Sequence, residues 1–395
     1  MRKHSKHSLR LSLLSYAIAA AASGGVAQNA MAVVDLCAGQ TTTSVSTVTS
    51  GVPCTLDTSG ATLSVTSAGA LDSGVVATAT GVGINNAGAL SGSGLAIHYS
   101  GVDKTGSLVN SGTVSAAGTT EAVAILADMG MSGAFNNSGE VTASASGAST
   151  NAYAAGVHAA GDLTGGMTNS GTISADASSM ASTYSGNAHA AATGAYIGGN
   201  ITTSAISNSG TISGTADATA YGLYAQANAD AFGLAAGNVS AGISNSGTIS
   251  ASSSAYAGAS SGASAHAQAT AIQIGDLTGS ISNSGDISAD STSHTSSYNG
   301  SGNAGATGVA VGGDLDGAVV NTHSISATAD ASGSFYSGSV DASAFGIDVG
   351  GKLNGSVANS GVLSASANAL LTAQYGGMSA HATSLYVSGD LAGSV

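Results

Sequence analysis

Apolar residues recur at two fixed positions around an asparagine that returns along most of the chain. Each copy follows the near-consensus Asn-Ser-Gly-Thr-Ile-Ser-Ala, with an apolar side chain two residues before the asparagine and an aliphatic one four residues after it. Their spacing grows from 24 residues to 39 and then stays at 37 or 38. Such a period predicts a solenoid in which equivalent residues of successive coils stack. The nine asparagines are Asn86, Asn110, Asn137, Asn169, Asn208, Asn245, Asn283, Asn321 and Asn359.

The Asn-Ser-Gly segment between the two apolar positions predicts a corner in each coil. Asn and Gly both tolerate positive φ, which a sharp bend between strands requires. We therefore predict an all-β fold, a β-solenoid of about nine repeats that widens along the chain. The stacked asparagines are expected to hydrogen-bond from coil to coil as a corner ladder. Ligand binding by the same column is the alternative.

The growth of the repeats lies in inserts between the Ile-Ser-Ala strand and a later Gly-Val-x-Val strand such as residues 308–311. Small residues alternate with period two in these inserts, which predicts a strand-turn-strand extension of each coil. A tyrosine stands beside turn residues near four midpoints, at Tyr184, Tyr298, Tyr336 and Tyr375. Repeat proteins often place binding surface on such inserts, so these tyrosines either contact a partner or only cover the end of the extension.

A second short motif, Gly-Asp-Leu-Thr-Gly and its variants, precedes the asparagine motif. It begins at Gly161, Gly275, Gly313, Gly351 and Gly389. The motif follows a short apolar strand, so it predicts another corner. Its central leucine is expected to point into the core.

Composition supports a thin core along a rod. Only 7% of the residues are charged and 4% aromatic, whereas Gly, Ala, Ser and Thr dominate. Disorder is the alternative for a chain rich in Gly and Ser, but such chains usually combine low hydrophobicity with Pro and charge. This chain has a single Pro and a regular aliphatic period. The solenoid is therefore the preferred interpretation.

The first residues have the three parts of a secretion signal. Basic residues come first, residues 11–22 form an apolar run too short to span a bilayer, and Ala30, Met31 and Ala32 make a small-x-small cleavage site. We predict a signal peptide at residues 1–32, an N-terminal capping segment at 33–80 and solenoid repeats at 81–395. The last residues match the middle of a repeat, so the coding sequence is expected to be truncated.

Removal of that signal would leave Lys104 and Lys352 against all 20 acidic residues. Nucleic acids are bound through clustered Lys and Arg, so we predict no nucleic-acid partner. Two cysteines, Cys37 and Cys54, follow the signal closely. In an oxidising compartment they are expected to pair and to staple the first coil.

The chain resembles the passenger region of bacterial autotransporters, the type V secretion family. The export signal, the Cys37/Cys54 segment and the asparagine repeats over residues 80–395 carry this resemblance. It implies a right-handed parallel β-helix, export to the periplasm, and display at the cell surface or outer membrane, with a role in adhesion, autoaggregation or biofilm. A C-terminal translocator barrel in the outer membrane is the expected partner. It is missing from this sequence, so the chain is expected to be an N-terminal fragment.

The residues give little support for catalysis. The string Leu71-Asp72-Ser73-Gly74 lacks the first glycine of a serine-protease motif. Asp314 and Asp316 are close in sequence, but that spacing alone is weak support for a general acid–base pair, which needs a defined separation. The histidines at 189, 266 and 381 come from coils that are not adjacent in sequence, so exposed strand residues are the preferred interpretation over a metal site. We predict no enzyme activity, no cofactor and no metal site.

The sequence favours a surface rod that contacts host surfaces or sibling cells. A polysaccharide-active enzyme on a β-helix is one alternative. An ice-binding solenoid is another, since Thr172, Thr211 and Thr248 recur at one position. Ice binding would need a Thr-x-Thr at one place in every coil, whereas the later repeats replace even this threonine. The replacing residues are Asp286, Ser324 and Val362.

Overall fold

The computed structural model describes residues 35, 37–49, 51–101, 105–148 and 151–395. The predicted signal peptide and Lys104 lie outside the described residues. The regular structure of the described part consists of β-strands, and it has no helix of the length and apolar character that a membrane span needs. Fifteen strands precede residue 160: β1 (Thr42–Val45), β2 (Val48–Thr49), β3 (Cys54–Leu56), β4 (Thr62–Val65), β5 (Ala70–Leu71), β6 (Val75–Ala77), β7 (Gly83–Asn86), β8 (Ala89–Ser93), β9 (Leu95–Tyr99), β10 (Leu108–Asn110), β11 (Thr113–Gly118), β12 (Glu121–Ala127), β13 (Phe135–Asn137), β14 (Glu140–Ala148) and β15 (Ala152–Ala159).

In the later coils the strands that follow each asparagine corner become much longer, because the inserts of the wide repeats are themselves strand, whereas the corner strands keep three or four residues. Fourteen strands make up these coils. They are β16 (Met167–Asn169), β17 (Thr172–Ser182), β18 (Ser185–Ile197), β19 (Ile206–Asn208), β20 (Thr211–Ala236), β21 (Ile243–Asn245), β22 (Thr248–Ile274), β23 (Ser280–Asn283), β24 (Asp286–Ser296), β25 (Asn299–Val311), β26 (Ala318–Asn321), β27 (Ser324–Val349), β28 (Ser356–Asn359) and β29 (Val362–Val387).

Parallel pairing between successive coils confirms the β-solenoid. One sheet has eleven strands in the order β1-β4-β7-β10-β13-β16-β19-β21-β23-β26-β28, so each coil adds one short strand. The remaining 18 strands form the second sheet. Equivalent residues pair directly, as when Ile206 faces Ile243 and Ile243 faces Ile281. The apolar ladders that the sequence predicts are therefore real columns along the rod.

The stack begins earlier than the asparagine motif indicates. Strand β1 already pairs in register with β4, and β4 with β7, so two coils precede the first of the nine predicted repeats. In these coils Val45 and Val65 occupy the column that Asn86 and its successors take later. The predicted boundary at residue 81 thus marks the first coil with an asparagine, whereas coils begin within the predicted capping segment.

The predicted widening is confirmed by the strand lengths. After the corner, β8 has five residues, β14 has nine and β17 has 11. In the coil of β17 and β18, two arms of 11 and 13 residues meet at a turn that contains Tyr184. In β20, β22, β27 and β29 the strand runs through the same bend for 26 or 27 residues. We name residues before the bend the first arm and residues after it the second arm.

The two arms pack face to face over a core of small side chains. Inward positions of β17 include Ile173, Ala175 and Ala177, which are at most 2% exposed, and alternate with polar outward residues. Sheets covered by large side chains stack about 10 Å apart. Alanine allows a much closer approach: a Cβ added to Gly214 in the first arm would lie 2.2 Å from the carbonyl oxygen of Phe232 in the second.

The corner glycines are required for a reason other than the predicted one. The prediction of positive φ at the Asn-Ser-Gly corner is wrong for its glycines, because Gly210 and Gly247 are not among the described glycines with positive φ. A Cβ on Gly247 would instead lie 2.1 Å from the carbonyl oxygen of Gly210 in the coil before it. Close stacking of the corner backbones therefore excludes any side chain at this position.

We predict that Ile206→Ala lowers the free energy of unfolding by about 2–5 kcal/mol, because Ile206 is fully buried between its neighbours in the column. The matched control is Ser207→Ala, the next residue, which points outward and is exposed. Its effect should stay within about 0.5 kcal/mol. Urea unfolding followed by circular dichroism measures both. Equal effects of the two substitutions would contradict the inward placement of the ladder.

Candidate functional site

The asparagine column is a continuous hydrogen-bonded ladder inside the corner. Each side-chain amide donates through Nδ2 to Oδ1 of the asparagine in the next coil, as from Asn208 to Asn245 and from Asn245 to Asn283, both at 2.8 Å. These asparagines are at most 2% exposed from Asn86 to Asn321, and Asn359 is exposed. The contacts join Asn86, Asn110, Asn137, Asn169, Asn208, Asn245, Asn283, Asn321 and Asn359 in sequence.

Each asparagine also satisfies backbone carbonyls that the corner exposes. The Nδ2 of Asn245 donates to the carbonyl oxygen of Gly247 at 3.2 Å and to that of Asp286 in the next coil at 3.1 Å. Buried polar groups of this kind need partners, since an unpaired one costs about 1–3 kcal/mol. All these side-chain bonds lie within the protein, which favours a structural role for the column over ligand binding.

A second ladder, which the sequence did not reveal, runs through the other corner. The side-chain Oδ1 of Asp162 accepts the backbone N–H of Asn200, whose own Oδ1 accepts the N–H of Asn238. The same contact continues through Asp276 and Asp314 to the N–H of Lys352. The apolar residue that follows each of them stacks in a buried column beside the ladder. That column contains Leu163, Ile201, Val239, Leu277, Leu315 and Leu353.

The two cysteines form a disulfide between the start of the described chain and β3. The Cα atoms of Cys37 and Cys54 are 5.2 Å apart, and both residues are at most 3% exposed. Asp35, beside them, accepts the backbone N–H groups of Cys37 and Thr55. The bond therefore ties the incoming segment to the first coils.

The tyrosines at the bend lie on one outer edge of the wide coils. Tyr184 is 72% exposed, and the four tyrosines that the sequence singled out are all at least 40% exposed. Tyr221 and Tyr224 occupy the bend of β20 and were missed, although they lie at the midpoint of their own insert. We call this edge the tyrosine ridge. It consists of Tyr184, Tyr221, Tyr224, Tyr298, Tyr336 and Tyr375.

Neighbouring rings of the ridge touch across coils in two groups. Tyr298 and Tyr336 stack with centroids 4.7 Å apart and an angle of 6° between planes, and Tyr375 meets Tyr336 edge-on at 5.5 Å. In the earlier group Tyr184 and Tyr224 are 6.3 Å apart and nearly perpendicular. Between the groups, the bend of β22 has only small residues, Gly258 to Gly262.

Titratable side chains gather on the outer face of the second arm. The His98 Nε2 lies 2.8 Å from Asp128 Oδ1, and the Tyr153 hydroxyl lies 3.0 Å from His158 Nδ1. Burial lowers the pKa of His158, and the nearby Asp128 carboxylate opposes that shift. The ring of Tyr196 covers His158 at 4.8 Å. Desolvation therefore favours the neutral imidazole in this cluster.

The structure brings two of the predicted strand histidines together. His189 and His266 share one column, two coils apart, with Asn228 between them. Asp230 lies two residues further along the middle coil, and burial raises its pKa while both histidines oppose the rise. His189 and His266 are half-buried, so their predicted exposure is wrong, whereas His381 is exposed as predicted. Groups of three or more residues suited to a metal ion are not found among the described residues.

The other candidates for chemistry stay in regular positions of the coils. Asp316 accepts a 2.8 Å hydrogen bond from the Asn354 amide in the next coil, and Asp314 belongs to the second ladder. The threonine column passes from Thr248 directly to Asp286 and on to Ser324, so its outer row of threonines is interrupted. A shallow pocket of the first coils, beside Asn86, is lined by short side chains such as Ser64, Thr66 and Ser111.

We predict that Asn245→Leu lowers the free energy of unfolding by at least about 2 kcal/mol, because Asn283 Oδ1 and the carbonyl of Asp286 lose their donor inside the corner. The matched control is Asn359→Leu. Asn359 is exposed and donates only to Gly361. The Asn321 amide that it accepts from keeps the carbonyl oxygen of Val362 as an acceptor, so replacement of Asn359 should cost less than half as much. Denaturant titration of both variants measures the loss in the free energy of unfolding. Equal losses would contradict the prediction that the buried position in the ladder contributes more to stability.

Acidification should destabilise the cluster around His158. The folded protein holds the pKa of His158 below its ordinary 6.5, so the unfolded chain takes up the proton first as the pH falls. The stability that the neutral His158 imidazole contributes is present above pH 6.5 and is lost as the pH falls below that value. We predict that His158→Gln flattens the fall of the unfolding midpoint between about pH 7 and pH 5.

Unfolding midpoints of both proteins at several pH values test this expectation. A difference already present at pH 8, where the imidazole is neutral in both states, measures lost packing alone. Parallel curves for the two proteins below pH 6.5 would contradict the assignment. Asp217 and Asp230 act in the opposite sense, since burial raises their pKa above 3.8. The folded state takes up their protons first, so acidification relieves the cost of their buried charge.

Comparison with known proteins yields no relative from which a role could be transferred. No protein-family model, curated protein or solved structure matches the chain. A function can therefore be proposed from two sources, the columns of side chains along the coils and the sequence pattern.

Proposed function

We propose that this chain is the rod of an exported surface protein of the autotransporter-passenger type, which contacts host surfaces or sibling cells. The single observation that carries the proposal is the stacking in register. Each coil aligns its outward residues with those of its neighbours, so columns of mostly short polar side chains extend along the rod. Repeated columns of this kind favour multivalent contact over a single deep site.

Rigidity supports a role as a spacer. Eleven strands follow one another in a single parallel sheet, and coils at about 4.8 Å spacing give a stack roughly 50 Å long. The two side-chain ladders link the coils in addition to the backbone bonds. Such a rod holds its outer residues at fixed distances from one another and from its base.

Features near the N-terminus support export. The basic, apolar and small-x-small parts of residues 1–32 occur in the order of a signal peptide. The disulfide between Cys37 and Cys54 is typical of proteins that fold in an oxidising compartment. In this proposal the translocator barrel of the family would carry the chain to the cell surface.

The side chains described above favour contact over catalysis. The carboxylates of Asp276 and Asp314 accept hydrogen bonds from the backbone of the next coil, as a structural ladder does. Catalytic pairs of carboxylates instead face a substrate at a defined separation. We therefore propose adhesion, autoaggregation or biofilm formation as the role.

Cells that carry the natural gene provide the test. We predict that antibodies label the protein on intact cells, that added protease removes it, and that deletion of the gene lowers adhesion or aggregation several-fold. The control replaces Leu13 and Leu14 in the apolar run by Arg, which should block export and abolish labelling. A protein that stays inside, or a surface-exposed protein whose loss changes neither adhesion nor aggregation, would contradict the proposal.

A further inference from the structure

The tyrosine ridge is the place on the described surface where exposed aromatic side chains concentrate. Its six members lie at the bends of five of the last six coils and are 40% to 72% exposed. Their hydroxyls make no hydrogen bond to another residue within the described part of the chain. Exposed aromatic side chains grouped in this way commonly mark an interaction surface.

The ring geometry restricts which partner can use this ridge. Tyr298 and Tyr336 stack face on face, so each ring covers one flat side of the other, and Tyr375 meets Tyr336 edge-on. A partner that offers aromatic edges and hydroxyl groups of its own suits the ridge, because aromatic pairs favour edge-to-face contacts.

The charge of the protein distinguishes the ridge from the other faces. The chain has a formal net charge of −14, and its 6 basic residues are too few to neutralise its 20 acidic residues. The bends themselves contain only uncharged residues, such as Ser182 to Ser185, Tyr221 to Tyr224 and Ser334 to Gly338. Two copies that approach through the ridges therefore avoid bringing rows of carboxylates together.

We propose that the tyrosine ridge is a docking surface for the ridge of a second copy of this chain. This inference rests on the proposed function and names the partner for one face of the rod. Every group on the ridge can pair with its own kind: a phenol hydroxyl both donates and accepts, and aromatic edges pack on aromatic faces.

The size of the ridge predicts a weak single contact. Six half-exposed tyrosines, each of which can bury about 150–250 Å², offer at most a few hundred Å² per copy. Stable interfaces bury about 800 Å² per partner. One pair of chains should therefore separate readily in solution, whereas many chains on two facing surfaces should hold together through multivalency.

The test uses the full chain coupled at high density to beads. We expect beads that carry the unaltered chain to aggregate, while the soluble chain stays monomeric in analytical ultracentrifugation. The variant Tyr298→Ser/Tyr336→Ser/Tyr375→Ser should slow bead aggregation at least tenfold. The matched control is Tyr386→Ser, because Tyr386 is 43% exposed but lies near the end of the second arm, away from the bend. Added salt should speed aggregation of the unaltered beads, since it screens the repulsion between acidic rods.

Circular dichroism and unfolding midpoints of all variants show whether a loss of aggregation reflects misfolding. Equal aggregation of the triple variant and the unaltered chain, or an equal loss with Tyr386→Ser, would overturn the inference. Unaltered beads that fail to aggregate would overturn it as well. Binding of the same beads to host cells is measured in parallel, so that failure of ridge pairing can be told apart from failure of the proposed surface role.

Discussion

Registered stacking of identical coil positions is the constraint on which every other feature of this protein depends. In a parallel sheet, a slip of one residue would turn every inward side chain outward. The asparagine column opposes such a slip, because Asn245 Nδ2 reaches an asparagine and a carbonyl oxygen of the next coil as well as a carbonyl of its own corner. The two valines that precede the column, Val45 and Val65, show that the stack itself can form without the amide.

Small residues are the second condition for this architecture. The arms of the wide coils lie so close that alanine fills the space between them, and the corner backbones leave no room for a Cβ at Gly247. A thin core of this kind buries little apolar surface per residue. Hydrogen bonds between coils and close packing of the small side chains must then stabilise the fold. Larger buried side chains are confined to places such as the bend, at Phe335, and the end of the second arm, at Ile347, whereas the tyrosines of the ridge lie on the outside of the bends.

Electrostatics shape the surface more than the interior. Carboxylates occupy outward positions along the arms, where burial raises the pKa of Asp217 and Asp230 and makes their charged forms costly. The cluster of His98, Asp128 and His158 shows that polar groups on this face interact across coils. The ridge has no charged residues, unlike these faces. Two rods that meet at their ridges therefore avoid repulsion between carboxylates.

The sequence alone determined the solenoid, its two apolar columns, the asparagine ladder and the widening, because each coil repeats the same side chains at countable intervals. It missed the first two coils, whose column residues are Val45 and Val65. It also missed the second ladder from Asp162, whose members are Asp in some coils and Asn in others. Only the tertiary structure decided that the corner glycines serve close backbone stacking and that Tyr298 and Tyr336 touch face to face. Contacts between coils join residues about 38 positions apart in sequence, such as Asn245 and Asn283, so a local sequence pattern does not give their distances.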